Sequence, residues 1–427
     1  MYGLIDGTRF YSESTSIYKP DQKSLPTAVT AGQGIIIAAN RVCSEIGVAK
    51  FTPIWESSEL LKLHGGRVYK ANFNTFSHLS DRFMTCVEQN SVGSRIFRYS
   101  VDELFLSLHH LDRINVDLDD HMNDLRKRVY RETGVPVGAG VGATLTLAKV
   151  ASWAGKNLDG YSGQCTLKDE NQIDSILSQM PVGKVWNIGS AYERHLKLEG
   201  VTTALQLKHC DAKTYQKRYS INIANVILEL NGISVLNYSD VREKKKQIWS
   251  TSSYRDRLRD SKSLFSEIAH HCAEVLRKVR AQESELKTLS VFLSTGRHDK
   301  CTPFYRKLDI KFENGLTDTS YALVKIRDKF SELLPTNLSL QPIYKVGVGT
   351  TELVNVQAKQ FDLFEPAFDN KPKLNATLDA LNSRFGRGTL SYASQKRQYR
   401  ESAGDIKFSR LENYYTDVND LLIVRCI

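Results

Sequence analysis

Tyr99-Ser100-Val101-Asp102-Glu103-Leu104-Phe105 sets two adjacent carboxylates between apolar and aromatic residues. Aromatic and β-branched residues favour a short strand or hairpin here. Side chains alternate faces along a strand, so Asp102 and Glu103 cannot both enter one core, and burying either charge without a partner is costly. Two arrangements satisfy this. One is a surface hairpin with Ser100 and Asp102 as turn formers. The other is a cation site completed by a ligand from elsewhere in the chain. Asp6 is the candidate: it ends the apolar run Met1-Tyr2-Gly3-Leu4-Ile5 and precedes Gly7-Thr8-Arg9-Phe10-Tyr11. An acid ending a buried strand lies at the sheet margin, where ligands bind in α/β folds. Three carboxylates from two strands can hold a pair of Mg²⁺ ions, which take oxygen ligands and leave room for substrate phosphates.

The rest of the chain narrows the class. Its 427 residues suggest several domains. No apolar run approaches the roughly 18 residues of a membrane span, and the first residues lack the basic region of a signal peptide and read as a core strand. Seven scattered cysteines without a Cys-x-x-Cys spacing argue against a disulfide framework or zinc site and for a reducing cytosol. The net charge of +10 favours an anionic partner; it does not separate nucleic acid from an acidic protein or a membrane surface.

Asp6 with Phe10-Tyr11, followed by Ser100-Val101-Asp102-Glu103-Leu104-Phe105, resembles the Y-family (lesion-bypass) DNA polymerases, and within them the UmuC branch. The resemblance runs through nearly the whole chain in order. It implies an α+β, right-handed polymerase with palm, small fingers, a helical thumb carrying a helix-hairpin-helix, and a β-α-β-β-α-β little finger. The expected boundaries are palm at 1–20 and 78–165, fingers at 21–77, thumb at 166–237, a basic linker at 238–246, little finger at 247–355 and a C-terminal tail at 356–427.

Element by element, Thr27–Thr30 and Ile35–Ala39 read as two short strands across a Gly-containing turn, with a helix from Asn40 to Ile46 stopped by Gly47. Asn74 or Ser77 is expected to cap the helix that follows. A helix at 117–133 shows Leu118, Met122, Leu125 and Val129 at helical spacing. Val135 to Gly142 is a Gly-rich strand before a helix start, readable either as a phosphate cradle or as close packing. Strands at 247–253, 286–294, 304–312 and 343–353, with helices at 264–280 and 319–333, give the β-α-β-β-α-β order.

The resemblance also implies roles. Asp6, Asp102 and Glu103, with the Gly7 carbonyl, would hold two Mg²⁺ ions. Phe10 and Tyr11 would lie at the incoming nucleotide, Tyr11 as the steric gate against the sugar. Lys149 would reach the triphosphate. Gly189 would present thumb backbone to DNA phosphate, with Asn187 where glycine is usual. Lys244, Lys245 and Lys246 would contact the DNA backbone. Gln360, Phe361, Leu363 and Phe364 resemble a sliding-clamp peptide. Primer-template DNA and deoxynucleoside triphosphates are the implied substrates; the tail leaves open a UmuD′-like dimer and a RecA filament as partners.

The activity implied is error-prone synthesis across damaged template in the bacterial cytoplasm, as part of the SOS response to DNA damage. The alternative is a catalytically weak or inactive polymerase-like repair adaptor. The fingers motivate that alternative: Ser44 stands where a phosphate-gripping Arg or Lys is common, Ala39 replaces an arginine, and Phe73 and Phe76 replace tyrosines. Arg9 and Arg41 are the available substitutes, and Arg41, on the fingers helix, is the expected one.

Overall fold

A computed structural model describes residues 1–32, 34–91, 93–237, 244–355, 372–386, 388–396 and 409–410. Residue contacts divide the chain into two compact units, Met1–Val241 with Phe408–Ile427, and Arg242–Lys407.

The first unit is organised by β1 (Tyr2–Gly7), the central strand of a five-stranded sheet. It pairs antiparallel with β6 (Glu103–Ser107) and β7 (Val137–Gly142); β5 (Ile96–Arg98) and β8 (Gln164–Thr166) complete the order β5-β6-β1-β7-β8. Successive β1 residues serve opposite faces, as strand geometry requires. Ile5 packs with Phe10, Phe76, Met122 and Val129; Leu4 packs with Phe105, Leu145 and Ala148. Helices Phe10–Tyr18, Phe73–Asn90 and Leu118–Thr133 supply the first set; β6 and helix Leu145–Asn157 supply the second. Covered on both faces, the strand reads as a short apolar run rather than an alternating one.

The Gly-rich run is a strand buried throughout, not a phosphate cradle. A Cβ on Gly140 would collide with the backbone of Ala148 and Ser152, and one on Gly142 with Leu147. The glycines let helix Leu145–Asn157 sit directly on β7. That helix carries Lys149 and Lys156 seven residues, about two turns, apart on one face.

The fingers hold a second sheet. β2 (Thr27–Ala31) and β3 (Ile35–Ala39) pair antiparallel, as their sequence suggests. β4 (Arg67–Lys70), which sequence reading missed, joins β2 in parallel, and the two-residue β13 (Ser409–Arg410) joins β4, giving β13-β4-β2-β3. Asn40 caps the Arg41–Glu45 helix by accepting from the Cys43 N–H at 3.0 Å. The cap of the Phe73–Asn90 helix is Asn72, which accepts from the Thr75 N–H at 3.4 Å. Asn74 and Ser77 lie inside that helix, because Asn72 is the last residue with extended backbone.

In the thumb, Asn187 adopts φ +67°. Asparagine is one of the few non-glycine residues that tolerates this left-handed conformation, so the turn survives the loss of its usual glycine. Gly189 N-caps the Ser190–Leu198 helix in extended backbone, with open space beside it. Fully buried Glu229 accepts from the Thr146 N–H at 3.0 Å and from those of Val235 and Leu236, each at 2.9 Å. It ties the Ile221–Leu230 helix to the palm, and nothing in its local sequence marked it.

The second unit is an antiparallel sheet of β9 (Ile248–Leu258), β10 (Ser284–Ser294), β11 (Tyr305–Leu316) and β12 (Ile343–Asn355), ordered β11-β10-β12-β9. Helices Ser261–Ala281 and Thr319–Asp328 intervene in the expected order. The second ends sooner than its periodicity suggested, breaking at Lys329 before the short Phe330–Leu333 helix. A further helix, Pro372–Phe385, belongs to this unit: Asp379 takes a bidentate ion pair from Arg280 (2.7 and 2.9 Å), and Asn375 donates to Asp318 at 3.1 Å. Lys244, Lys245 and Lys246 are exposed. The start of the basic linker, 238–243, and the clamp-like residues Gln360, Phe361, Leu363 and Phe364 lie outside the described residues.

Candidate active site

The register of the palm sheet assembles the acids. Asp6 pairs directly with Glu103 across β1 and β6, so their side chains leave the same face of the sheet. Asp102 precedes β6 in the turn, and its carbonyl accepts from the Gly7 N–H at 2.7 Å. The Ser100 hydroxyl donates to the Asp102 carboxylate at 3.0 Å, so Ser100 and Asp102 do act as turn residues while Asp102 faces the cleft. The turn that the sequence suggested thus forms, and it leaves Asp102 on the cleft.

Each strand acid has a lysine. Lys156 Nζ lies 2.5 Å from Asp6. Lys149 Nζ grips both Glu103 oxygens at 2.8 and 3.0 Å. It also sits over the rings of Tyr99 (4.8 Å), Trp186 (5.3 Å) and Phe105 (5.8 Å). Burial pushes the Asp102 carboxyl above the ordinary range; the Ser100 hydroxyl opposes that, and Asp6 adds repulsion. Burial also raises Glu103, with Lys149 pulling it back down. Desolvated carboxylates that repel one another gain from cations, which Lys156 and Lys149 supply to Asp6 and Glu103.

All-oxygen donors on a sheet margin suit a hard divalent ion such as Mg²⁺. Among the described residues, no three His, Cys, Asp or Glu side chains are already gathered into a metal-binding group. Asp6 and Glu103 instead turn to their lysines, and ion binding would require Lys156 to release Asp6.

A cleft of about 1160 Å³ runs from these acids to the fingers. Asp6, Gly7, Tyr11 and Asp102 line it, together with Arg9, Arg41, Ser44, Lys50 and Lys156. Tyr11 is half-buried, its ring against Phe76 at 4.9 Å and Phe73 at 6.1 Å. Burial, and then the Asp102 charge, raise its hydroxyl above the usual tyrosine range. Phe10 belongs mainly to the core: it is 2% exposed and packs on Phe83 and Phe76.

Of the expected phosphate contacts, Arg41 lines the cleft but is 84% exposed at its side chain and pairs with Glu45 at 2.8 Å. Lys149 is held on Glu103, whereas Lys156 reaches the cleft wall. Lys156 was passed over in the sequence; its signal was the two-turn spacing from Lys149, visible only once the helix face is known.

Comparison with known proteins agrees with this architecture. The impB/mucB/samB family pattern matches residues 5–153, its C-terminal domain matches 245–363, and a domain of unknown function matches 372–424. Protein UmuC of Salmonella typhimurium is 26% identical over 92% of this chain and 93% of its own length. DNA polymerase IV 2 of Bacillus subtilis is 24% identical over 90% of this chain and 91% of its own. Among solved structures, a Y-family DNA polymerase chimera of Dbh and Dpo4 matches with a TM-score of 0.64 at 16% identity, covering 83% of this chain and 99% of its own.

Proposed function

The chain belongs to the impB/mucB/samB family of Y-family DNA polymerases, and from that premise we propose that it adds deoxynucleotides to a primer opposite damaged template bases. The observation that carries this is the β1–β6 register, which sets Asp6 opposite Glu103 with Asp102 one residue before it.

Asp6, Asp102, Glu103 and the Gly7 carbonyl would hold two Mg²⁺ ions, which when bound supply charge neutralisation for the primer 3′-oxygen and the triphosphate. Tyr11 closes the cleft where the sugar of the incoming nucleotide lies and excludes a 2′-hydroxyl, with buried Phe10 fixing its ring from behind. Lys156 releases Asp6 on nucleotide binding and turns to phosphate. Lys149, caged by three aromatic rings, keeps Glu103 ionised and oriented. The fingers are small, so the nascent pair is loosely enclosed, distorted template bases are admitted and fidelity is low.

Beyond the cleft, the Gly189 turn meets DNA phosphate through backbone N–H groups, and Lys244, Lys245 and Lys246 add non-specific contacts. Gln360, Phe361, Leu363 and Phe364 dock on a sliding clamp. A UmuD′-like dimer and a RecA filament are the candidate partners of the tail, and the bacterial cytoplasm is the expected location. Among the described residues, no helix is long and apolar enough to cross a membrane.

Primer extension by the purified chain, with and without Mg²⁺, on intact and lesion-bearing templates, tests the reading. Template-directed, Mg²⁺-dependent extension is expected. DNA binding without extension under any condition would transfer the chain to the adaptor class.

A further inference from the structure

Arg9 begins the helix that carries Tyr11, yet its side chain crosses to the fingers. Its Nη1 donates to the carbonyls of Ala39 (2.9 Å) and Asn40 (3.2 Å) and to the Ser44 hydroxyl (2.8 Å). All three bonds use one nitrogen. Among the described residues, Nε and Nη2 have no hydrogen-bond partner, and Arg9 has no carboxylate within ion-pair distance. The backbone at Arg9 is left-handed, φ +49° and ψ +40°. A non-glycine residue held there costs energy unless the surroundings fix it, and here the Nη1 anchor does so.

The Nε–Nη2 edge of a guanidinium is the fork that meets a phosphate with two parallel hydrogen bonds. Arg9 therefore has one side tied down and the matching edge unused, in a residue that lines the nucleotide cleft.

Lys50, on the fingers side, is a second cation lining the same cleft. It stays solvent-accessible and has no ion-pair partner among the described residues. Partial desolvation, then repulsion from Arg9, hold its ammonium below the usual lysine range, with Asp102 and Asp6 acting against this. Two unpaired cations that repel each other across a cleft form a site for an anion.

We propose that Arg9 and Lys50 together grip the triphosphate of the incoming nucleotide, Arg9 occupying in space the place that Ser44 leaves without a charge. Arg9 reaches the triphosphate from the palm side while braced on the fingers, and Lys50 meets it from the fingers side. Arg41 is left out of the grip: its guanidinium is 84% exposed and its Nε turns to Glu45 on its own helix.

The inference rests on the polymerase reading, and the test separates the two. Single-nucleotide incorporation is measured on an undamaged primer-template for wild type, Arg9→Asn, Arg9→Lys, Lys50→Ala and Arg41→Ala. Asparagine tolerates the left-handed backbone, and thermal melting checks each fold. Arg9→Asn should raise the nucleotide KM at least about tenfold, the loss expected for one charge-assisted phosphate contact. Arg9→Lys should recover only part of this, Lys50→Ala should raise KM less, and Arg41→Ala should leave it unchanged.

Two further readouts distinguish grip from brace. Inorganic tripolyphosphate should bind wild type and lose affinity for Arg9→Asn, measured by calorimetry. Adding Ser44→Arg to Arg9→Asn should restore KM, since it returns a cation to the spot but not the brace. Wild type that extends primers while Arg9→Asn keeps both its KM and its tripolyphosphate affinity overturns the inference. So does a raised KM with unchanged tripolyphosphate affinity and no rescue, which would make Arg9 a brace alone. Wild type that does not extend at all removes the polymerase reading itself.

Discussion

The palm and the fingers form opposite walls of one cleft and are built on different terms. The palm sheet has five strands, and its central strand is buried on both faces by helices. A one-residue slip of β1 would turn Leu4 and Ile5 to the wrong layers and carry Asp6 away from Glu103, so the same burial that stabilises the sheet fixes the acids. The fingers sheet has strands of four or five residues, closed by the two-residue β13, around a small core that includes Ile36, Cys43 and Leu61. Apolar side chains in the loops beside this sheet also reach solvent: Phe51 is 78% exposed and Trp55 61%. The lesson is that chemistry tied to strand register must keep its residues in place. A phosphate grip needs only a cation at the right point in space, and on the reading above it is supplied by the palm at Arg9.

The most damaging test of that contrast removes a palm acid. Asp102→Ala or Glu103→Ala should lower extension by at least about 10³-fold while the melting temperature stays near wild type. A variant of either acid that still extends primers at the wild-type rate would mean that register does not define the site.

A smaller effect is expected where the palm is packed rather than charged. Gly140→Ala should destabilise the first unit by about 1–3 kcal/mol, since the new methyl meets helix backbone instead of a movable side chain. Denaturant melts of this variant that match wild type would show that the helix can shift outward freely.

On the shared wall, Tyr11→Ala should raise ribonucleotide incorporation relative to deoxyribonucleotide at least about tenfold, a typical discrimination for one added hydroxyl. An unchanged ratio in an active variant would place the sugar gate elsewhere.

The mildest effect is one of stability. Asp102 has its folded-state pKa raised by burial, so the native state holds the proton more tightly than the unfolded chain. Its contribution is then most favourable below the ordinary carboxylate pKa and is lost as pH rises through the raised folded value. Asp102→Asn should therefore stabilise the protein by about 0.5–1 kcal/mol at neutral pH, with the gain shrinking toward pH 4. Melting temperatures across that range that show no gain at neutral pH would mean that Lys156 and Ser100 already offset the burial.

Much of this was legible from residue order. Periodicity placed the helix at 117–133 and the strands and helices of the little finger, because each buries one face and writes its period into the sequence. Asp6 and the Asp102-Glu103 pair stood out because charges at the margins of apolar strands need a reason. What the sequence left undecided depended on neighbours distant in the chain. Local pattern does not report parallel pairing, so β4 went unread. Whether Gly140 serves phosphate or packing is decided by the helix backbone that approaches it. Glu229, silent in its own helix, can be buried because three N–H groups converge on its carboxyl. Arg9 was noticed but ranked behind Arg41, and Lys156 was passed over, because their partners stand 35 and 150 positions away, at Ser44 and Asp6. Sequence determined which elements form and which charges are costly; tertiary structure alone decided which charges meet, because that depends on strand register and helix face rather than on order along the chain.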